Sequence, residues 1–227
     1  MLKLLILLLS LSLALTSCVT ATKKEPTSEK EVEMDGKVEA ASPNEENNFI
    51  LIEGSEAVLQ TALMAAPKES RDSCKVLGYD KNGAVVTLRE GSNEFIALAD
   101  NPKKEGFSAA CYHISLEPFM ARGRALKAEG KGREEIFKIR GEEIESGKLT
   151  MGNTGSTLHI YHGPDAEYDP ETGAVKEANY RYVVYLPYAT PQSTGLPIQP
   201  LASNHPWIMD PGTHRAHIMI TPKPRED

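Results

Sequence analysis

CKVLGYDKNGAVVTLREGSNEFIAL, residues 74–98, holds three short apolar runs separated by two turn signals. The runs are Cys74–Tyr79, Ala84–Arg89 and Glu94–Leu98, and they are rich in Val, Leu and Ile. Asp80-Lys81-Asn82-Gly83 and Glu90-Gly91-Ser92-Asn93 supply the residues that tight turns accept. Three strands joined this closely predict an antiparallel meander. Upstream, SEAVLQTALMAA (55–66) predicts a helix that stops before Pro67, with Val58, Leu59, Ala62 and Leu63 as its apolar stripe and Ser55 at its start. Downstream, Leu116–Glu129 and Arg133–Ile144 read as helices, broken apart by Gly130 and Gly132. Strand-like runs return at Thr157–His162, Tyr180–Leu186, Pro206–Met209 and Ala216–Thr221. The expected fold is α+β: an antiparallel sheet with a few helices in a single domain, residues 49–227.

Composition narrows the function classes. The chain has 227 residues and a net charge of -7, which argues against a protein that holds nucleic acid by general phosphate attraction. The start of the chain is different in kind. Met1–Lys3 carries a positive charge, Leu4–Leu15 is an unbroken run of apolar and small residues, and Leu15-Thr16-Ser17-Cys18 follows. The apolar run is that of a signal peptide and is short of the ~20 residues a membrane span needs. With the cysteine it resembles the lipobox of bacterial lipoproteins. The resemblance implies cleavage after residue 17 and a lipid anchor, palmitate among its acyl chains, on Cys18. More than one chain is what makes such anchoring stable. It also implies the cell envelope as location and, in a Gram-negative source, the outer membrane, since Val19 is not aspartate. Residues 18–48 then predict a lipid-anchored, disordered tether. Positions 19–48 have no aromatic residue and carry eight acidic and four basic side chains.

Two stretches of the domain are similar to an uncharacterised family of secreted bacterial proteins. The first runs from Ala65-Ala66-Pro67 through Val76-Leu77-Gly78-Tyr79-Asp80 to Arg89, Gly91 and Asn93. The second is Pro206-Trp207-Ile208-Met209 through Gly212-Thr213 to Ala216-His217-Ile218-Met219-Ile220. The resemblance implies a secreted domain and no particular chemistry.

Candidate chemistry is sparse. Cys74 and Cys111 read either as a disulfide, closing a loop worth roughly 4 kcal/mol, or as two buried thiols. The pairs His159/His162 and His214/His217 have three-residue spacing, which on a strand puts the members on opposite faces. A metal site would therefore draw on both segments, for example His159 and His217 with His205 or Asp210. The acidic stretch Asp165–Gly173 fails as an EF-hand loop, because Pro170 and Lys176 stand where glycine and glutamate belong. It reads instead as a turn between strands. Gly152–Ser156 reads as the loop leading into a strand, and the seven basic residues from Arg122 to Arg140 as a solvated helix face of mixed charge. Alternation in the closing stretch assigns Ala216, Ile218 and Ile220 to the core and turns His217 and Met219 the other way. The reading that results is a lipid-anchored envelope protein with a non-enzymatic binding domain. Its partners are the membrane, through the anchor, and an unidentified ligand or envelope protein. No cofactor is called for. The alternative is a metal-dependent periplasmic enzyme using His159, His162, His205, His214 and His217.

Overall fold

In the computed structural model, which describes residues 48–223, the chain enters through β1 (Ile50–Leu51) and α1 (Gly54–Leu63). The signal segment, Cys18 and the tether up to residue 47 lie outside the described residues. Pro67 ends the helical region, and a 3-10 turn at Lys68–Ser73 leads into β2 (Lys75–Tyr79). Then come β3 (Val85–Arg89), β4 (Phe95–Leu98) and β5 (Phe107–His113), followed by α2 (Glu117–Ala128) and α3 (Arg133–Glu145). The last part holds β6 (Thr157–Gly163), β7 (Glu167–Tyr168), β8 (Asn179–Tyr185), the short α4 (Pro191–Thr194), β9 (Trp207–Met209) and β10 (His217–Ile220). The domain is α+β. Its main sheet has the strand order β3-β2-β4-β5-β6-β8-β10-β9, and β1 and β7 form a separate ribbon.

The expected meander is not formed. β2 lies between β3 and β4, antiparallel to the first and parallel to the second. The connection from β3 to β4 must therefore cross the start of β2 to reach its other edge. Gly91 permits that crossing, because a Cβ there would sit 2.1 Å from the Lys75 amide nitrogen. A second difference is β5. Its Ser-Ala-Ala-Cys centre has little intrinsic strand preference, yet it pairs in full with β4 and β6.

Small residues in β5 serve the packing. On one face of the sheet, Ala57 and Ala62 of α1 meet Val76, Ala97, Ala109 and Cys111, so helix and sheet approach closely. On the other face, Leu116 and Phe119 meet Leu77, Ile96, Tyr112, Val183, Tyr185 and Met219. α2 and α3 are tied by Arg122, whose guanidinium grips the Glu143 carboxylate at 2.7–3.0 Å. Arg124–Glu117 and Lys131–Glu135 add the mixed-sign pairs expected of a solvated face.

The closing strand keeps Ala216 in the core as expected, and from there on reverses its expected facing. His217 and Met219 are buried, whereas Ile218 and Ile220 are only half-buried. Register explains this. His217 pairs with Tyr185 and points into the layer beneath α2 and α3, while Ile220 pairs with Tyr182 on the other side. Helix α1 packs on β2, β4 and β5, and among the described residues that side of β8 and β10 has no packed helix.

Candidate functional site

The uncovered part of the sheet face adjoins the C-terminal end of α1 and forms a cleft of about 730 Å³. One wall is a row of tyrosines. Tyr161 of β6 lies opposite Tyr180 of β8, and Tyr182 follows two residues on, so all three project from one face. The Tyr161 and Tyr180 rings stack at 4.6 Å and 25°, and Tyr180 and Tyr182 are nearly parallel at 6.0 Å and 20°. His159 meets the Tyr182 ring edge-on at 5.1 Å. Two phenols are tethered: Tyr180 donates to the Met64 carbonyl at 3.1 Å, and the Tyr161 oxygen accepts the Val175 amide at 3.0 Å. Tyr182 makes no hydrogen bond to the described residues.

The opposite wall is the segment Met64–Arg71. Arg71 braces it by donating to the Ala66 and Met64 carbonyls at 3.2 and 3.3 Å. Asn93 donates to the Ser70 carbonyl at 2.7 Å, and Arg89 donates to the Cys74 carbonyl at 2.8 Å and to the Arg71 carbonyl. Arg89 and Asn93 thus hold this wall in place. Lys68, Arg71 and Lys223 line the cleft, and among the described residues no acidic side chain does. None of the three cations forms an ion pair with the described residues. Burial lowers the pKa of His159, with the Ala65 carbonyl acting the other way, so this imidazole is neutral at pH 7. A smaller cavity of about 270 Å³ beside Thr61 and Tyr79 mixes Glu53 and Asp100 with Lys104 and has no such bias.

The residues expected to carry chemistry do not gather here. His159 faces the cleft, while His162 lies on the other side of β6, as the spacing required. His217 and His214 belong to the α2–α3 side, and His205 lies in the loop before β9. The sheet itself separates His159 from His217, which corrects the expectation that they share a ligand set. Among the described residues no three His, Cys, Asp or Glu side chains are placed to hold a metal. His217 donates from Nδ1 to the Arg215 carbonyl at 2.6 Å, a structural bond that fixes its ring. Asp169 closes a turn by accepting from Glu171 and Thr172 at 2.9 and 2.7 Å, so the acidic stretch passes from β7 at Glu167–Tyr168 into the expected turn at residues 169–173.

Cys74 and Cys111 are buried free thiols rather than a disulfide. Cys74 directly precedes β2 and Cys111 lies in β5, with β4 between those two strands. Contact with the Cys74 side chain, then burial, pushes the Cys111 thiol far up.

A second cationic cluster lies beneath α3. Arg140 is 8% exposed and has no carboxylate partner among the described residues. Its guanidinium sits 3.8 Å above the Phe119 ring and donates to the Phe119 carbonyl at 3.2 Å. Burial pulls its pKa down to about 10. His214 packs against Phe137 at 4.7 Å, and burial, then Arg140 and Arg215, lower its pKa. Two helical glycines make the room: a Cβ at Gly123 would lie 2.9 Å from Arg140 Nη1, and one at Gly141 3.0 Å from His214 Nδ1.

Reading the sequence for catalytic motifs missed the tyrosines. The signal was present as Tyr180-Arg181-Tyr182 on a strand, where alternation alone puts both rings on one face. Compared with protein families, curated proteins and solved structures, the chain matches none.

Proposed function

We propose that this chain is a bacterial envelope lipoprotein, held by acyl chains on Cys18, whose domain binds a ligand in the tyrosine cleft without transforming it. The observation that carries the binding reading is the cleft itself: a concave site of ligand size with a stiff aromatic wall and a rim of cations that have no acidic partner among the described residues. Stacked tyrosines offer large contact area at low entropic cost on binding. Among the described residues the cleft's lining holds one imidazole and no carboxylate, which suits recognition better than proton transfer.

Two measurements test this reading. Cys18→Ala should release the protein from the membrane fraction or leave it uncleaved, and unchanged association with normal processing contradicts the anchor. For the cleft, ligand-observed NMR on the purified chain uses four ring-bearing probes: methyl glucoside, N-acetylmuramic acid, glucose 6-phosphate and benzoate. At least one should show transfer that weakens in Tyr182→Ala. Transfer from none, or transfer indifferent to Tyr182, contradicts the binding reading.

A further inference from the structure

The cleft's chemistry points to a class of ligand. We infer that it takes a saccharide ring bearing a carboxylate or a phosphate, an inference that rests on the cleft being the binding site. Charge comes first. The chain is acidic overall at -7, yet among the described residues the cleft presents Lys68, Arg71 and Lys223 and no acidic side chain. Arg71 already spends Nε and Nη2 on the Ala66 and Met64 carbonyls, which holds its guanidinium in one orientation. The orientation costs nothing further on binding, and a planar guanidinium suits a carboxylate or phosphate. His159 is neutral at pH 7, so the positive charge comes from these three side chains.

The wall sets the rest of the ligand. A plain hydrocarbon would strip water from the three cations and from Asn179 without replacing it. A bare inorganic anion would leave the row of rings uncovered and most of the 730 Å³ unfilled. A pyranose meets both demands, with an apolar C–H side for the rings and hydroxyls for polar neighbours. Tyr182 is the contact residue at the rim. Its ring is half-buried, and its hydroxyl has no bond to the described residues, whereas Tyr161 and Tyr180 are tethered behind it. The anionic group belongs near Arg71, between the Lys68 and Lys223 ends of the cleft.

Calorimetric titration of the purified full chain tests this at low ionic strength, where exposed charges act most strongly. The matched probes are N-acetylmuramic acid against N-acetylglucosamine, and glucose 6-phosphate against glucose. Acetate and inorganic phosphate stand alone, and benzoate is the non-saccharide anion. The charged sugar of at least one pair should bind about tenfold more tightly than its neutral counterpart. Which pair discriminates separates a carboxylated envelope sugar from a sugar phosphate. The double variant Lys68→Gln/Lys223→Gln changes only exposed side chains, and it should remove most of the charged sugar's preference over its neutral counterpart. Equal affinity within both pairs, or a preference that survives the double variant, overturns the inference. So does binding of benzoate, acetate or phosphate as tight as that of the charged sugars. In each of those cases Tyr182-dependent binding would still uphold the cleft as the site. If no probe binds, the inference and the reading beneath it both fall.

Discussion

Arg71 and Arg140 lie on opposite sides of one sheet, and neither has a carboxylate partner among the described residues. Their surroundings resolve the unpaired charge in different ways. Arg140 is enclosed: the Phe119 ring and carbonyl satisfy it, and burial makes its charge expensive enough to lower its pKa. Arg71 is half-buried in a 3-10 turn, braces two carbonyls, and shares an open cleft with two lysines. An enclosed cation is compensated by the fold and contributes to packing. An open group of cations beside an aromatic wall has no such compensation among the described residues, and the proposed ligand would supply it.

The largest expected effect falls on the enclosed side. Phe119 is 1% exposed and carries Arg140 on its face and Tyr185 at its edge. Phe119→Ala should cost about 3–5 kcal/mol in a denaturant melt. A loss below about 1 kcal/mol would show that the α2–α3 layer is not the packed side.

Acid comes next. His214 and His217 have pKa values lowered chiefly by burial, and His214 also by Arg140 and Arg215, with Asp210 opposing. His159 and His162 are lowered in the same direction. The unfolded chain therefore takes up protons below about pH 6.5 that the folded chain refuses. Stability should be full above that pH and should fall as pH drops below it toward the folded-state values. Melts between pH 7.5 and 5 check this, and a flat profile contradicts buried neutral imidazoles. Arg140→Met sharpens the test. It relieves the burial of a charge while giving up a cation–π contact worth up to about 2 kcal/mol. Stability at pH 7.5 should stay within about 1 kcal/mol of the parent, and the acid-side loss should become shallower because His214 no longer faces Arg140.

The smallest effect belongs to the open side. Tyr182→Ala removes a half-buried ring that makes no hydrogen bond to the described residues, so the cost should be about 1 kcal/mol or less. A loss as large as that of Phe119→Ala would make the tyrosine row a core and undo the contrast between the two faces.

Much of this fold is written in local pattern. The helices at 54–63, 117–128 and 133–145, and all but one of the longer strands, follow apolar spacing and turn residues. What is not local is not legible. β5 is made a strand by its neighbours, since its Ser-Ala-Ala-Cys centre is selected for close helix packing rather than for strand preference. The parallel pairing of β2 with β4 depends on Gly91 passing over Lys75, a contact that the turn sequence alone cannot reveal. In β10 the two isoleucines suggest a core face that His217 and Met219 in fact take, because the arbiter is which side α2 and α3 cover. For the cleft, alternation places Tyr180 and Tyr182 together. Bringing Tyr161, Arg71 and Lys223 to them needs the sheet order β6-β8-β10 and the turn after α1.

The central claim is that the open face, and not the enclosed cationic cluster, receives the ligand. Amide chemical-shift mapping of the purified chain with the tightest-binding charged sugar tests it most directly. The account predicts perturbations concentrated in Met64–Arg71, His159–Tyr161 and Asn179–Tyr182, with the amides around Arg140, His214 and Arg215 unmoved. Perturbations centred on Arg140 and His214, with the tyrosine strands silent, would contradict it.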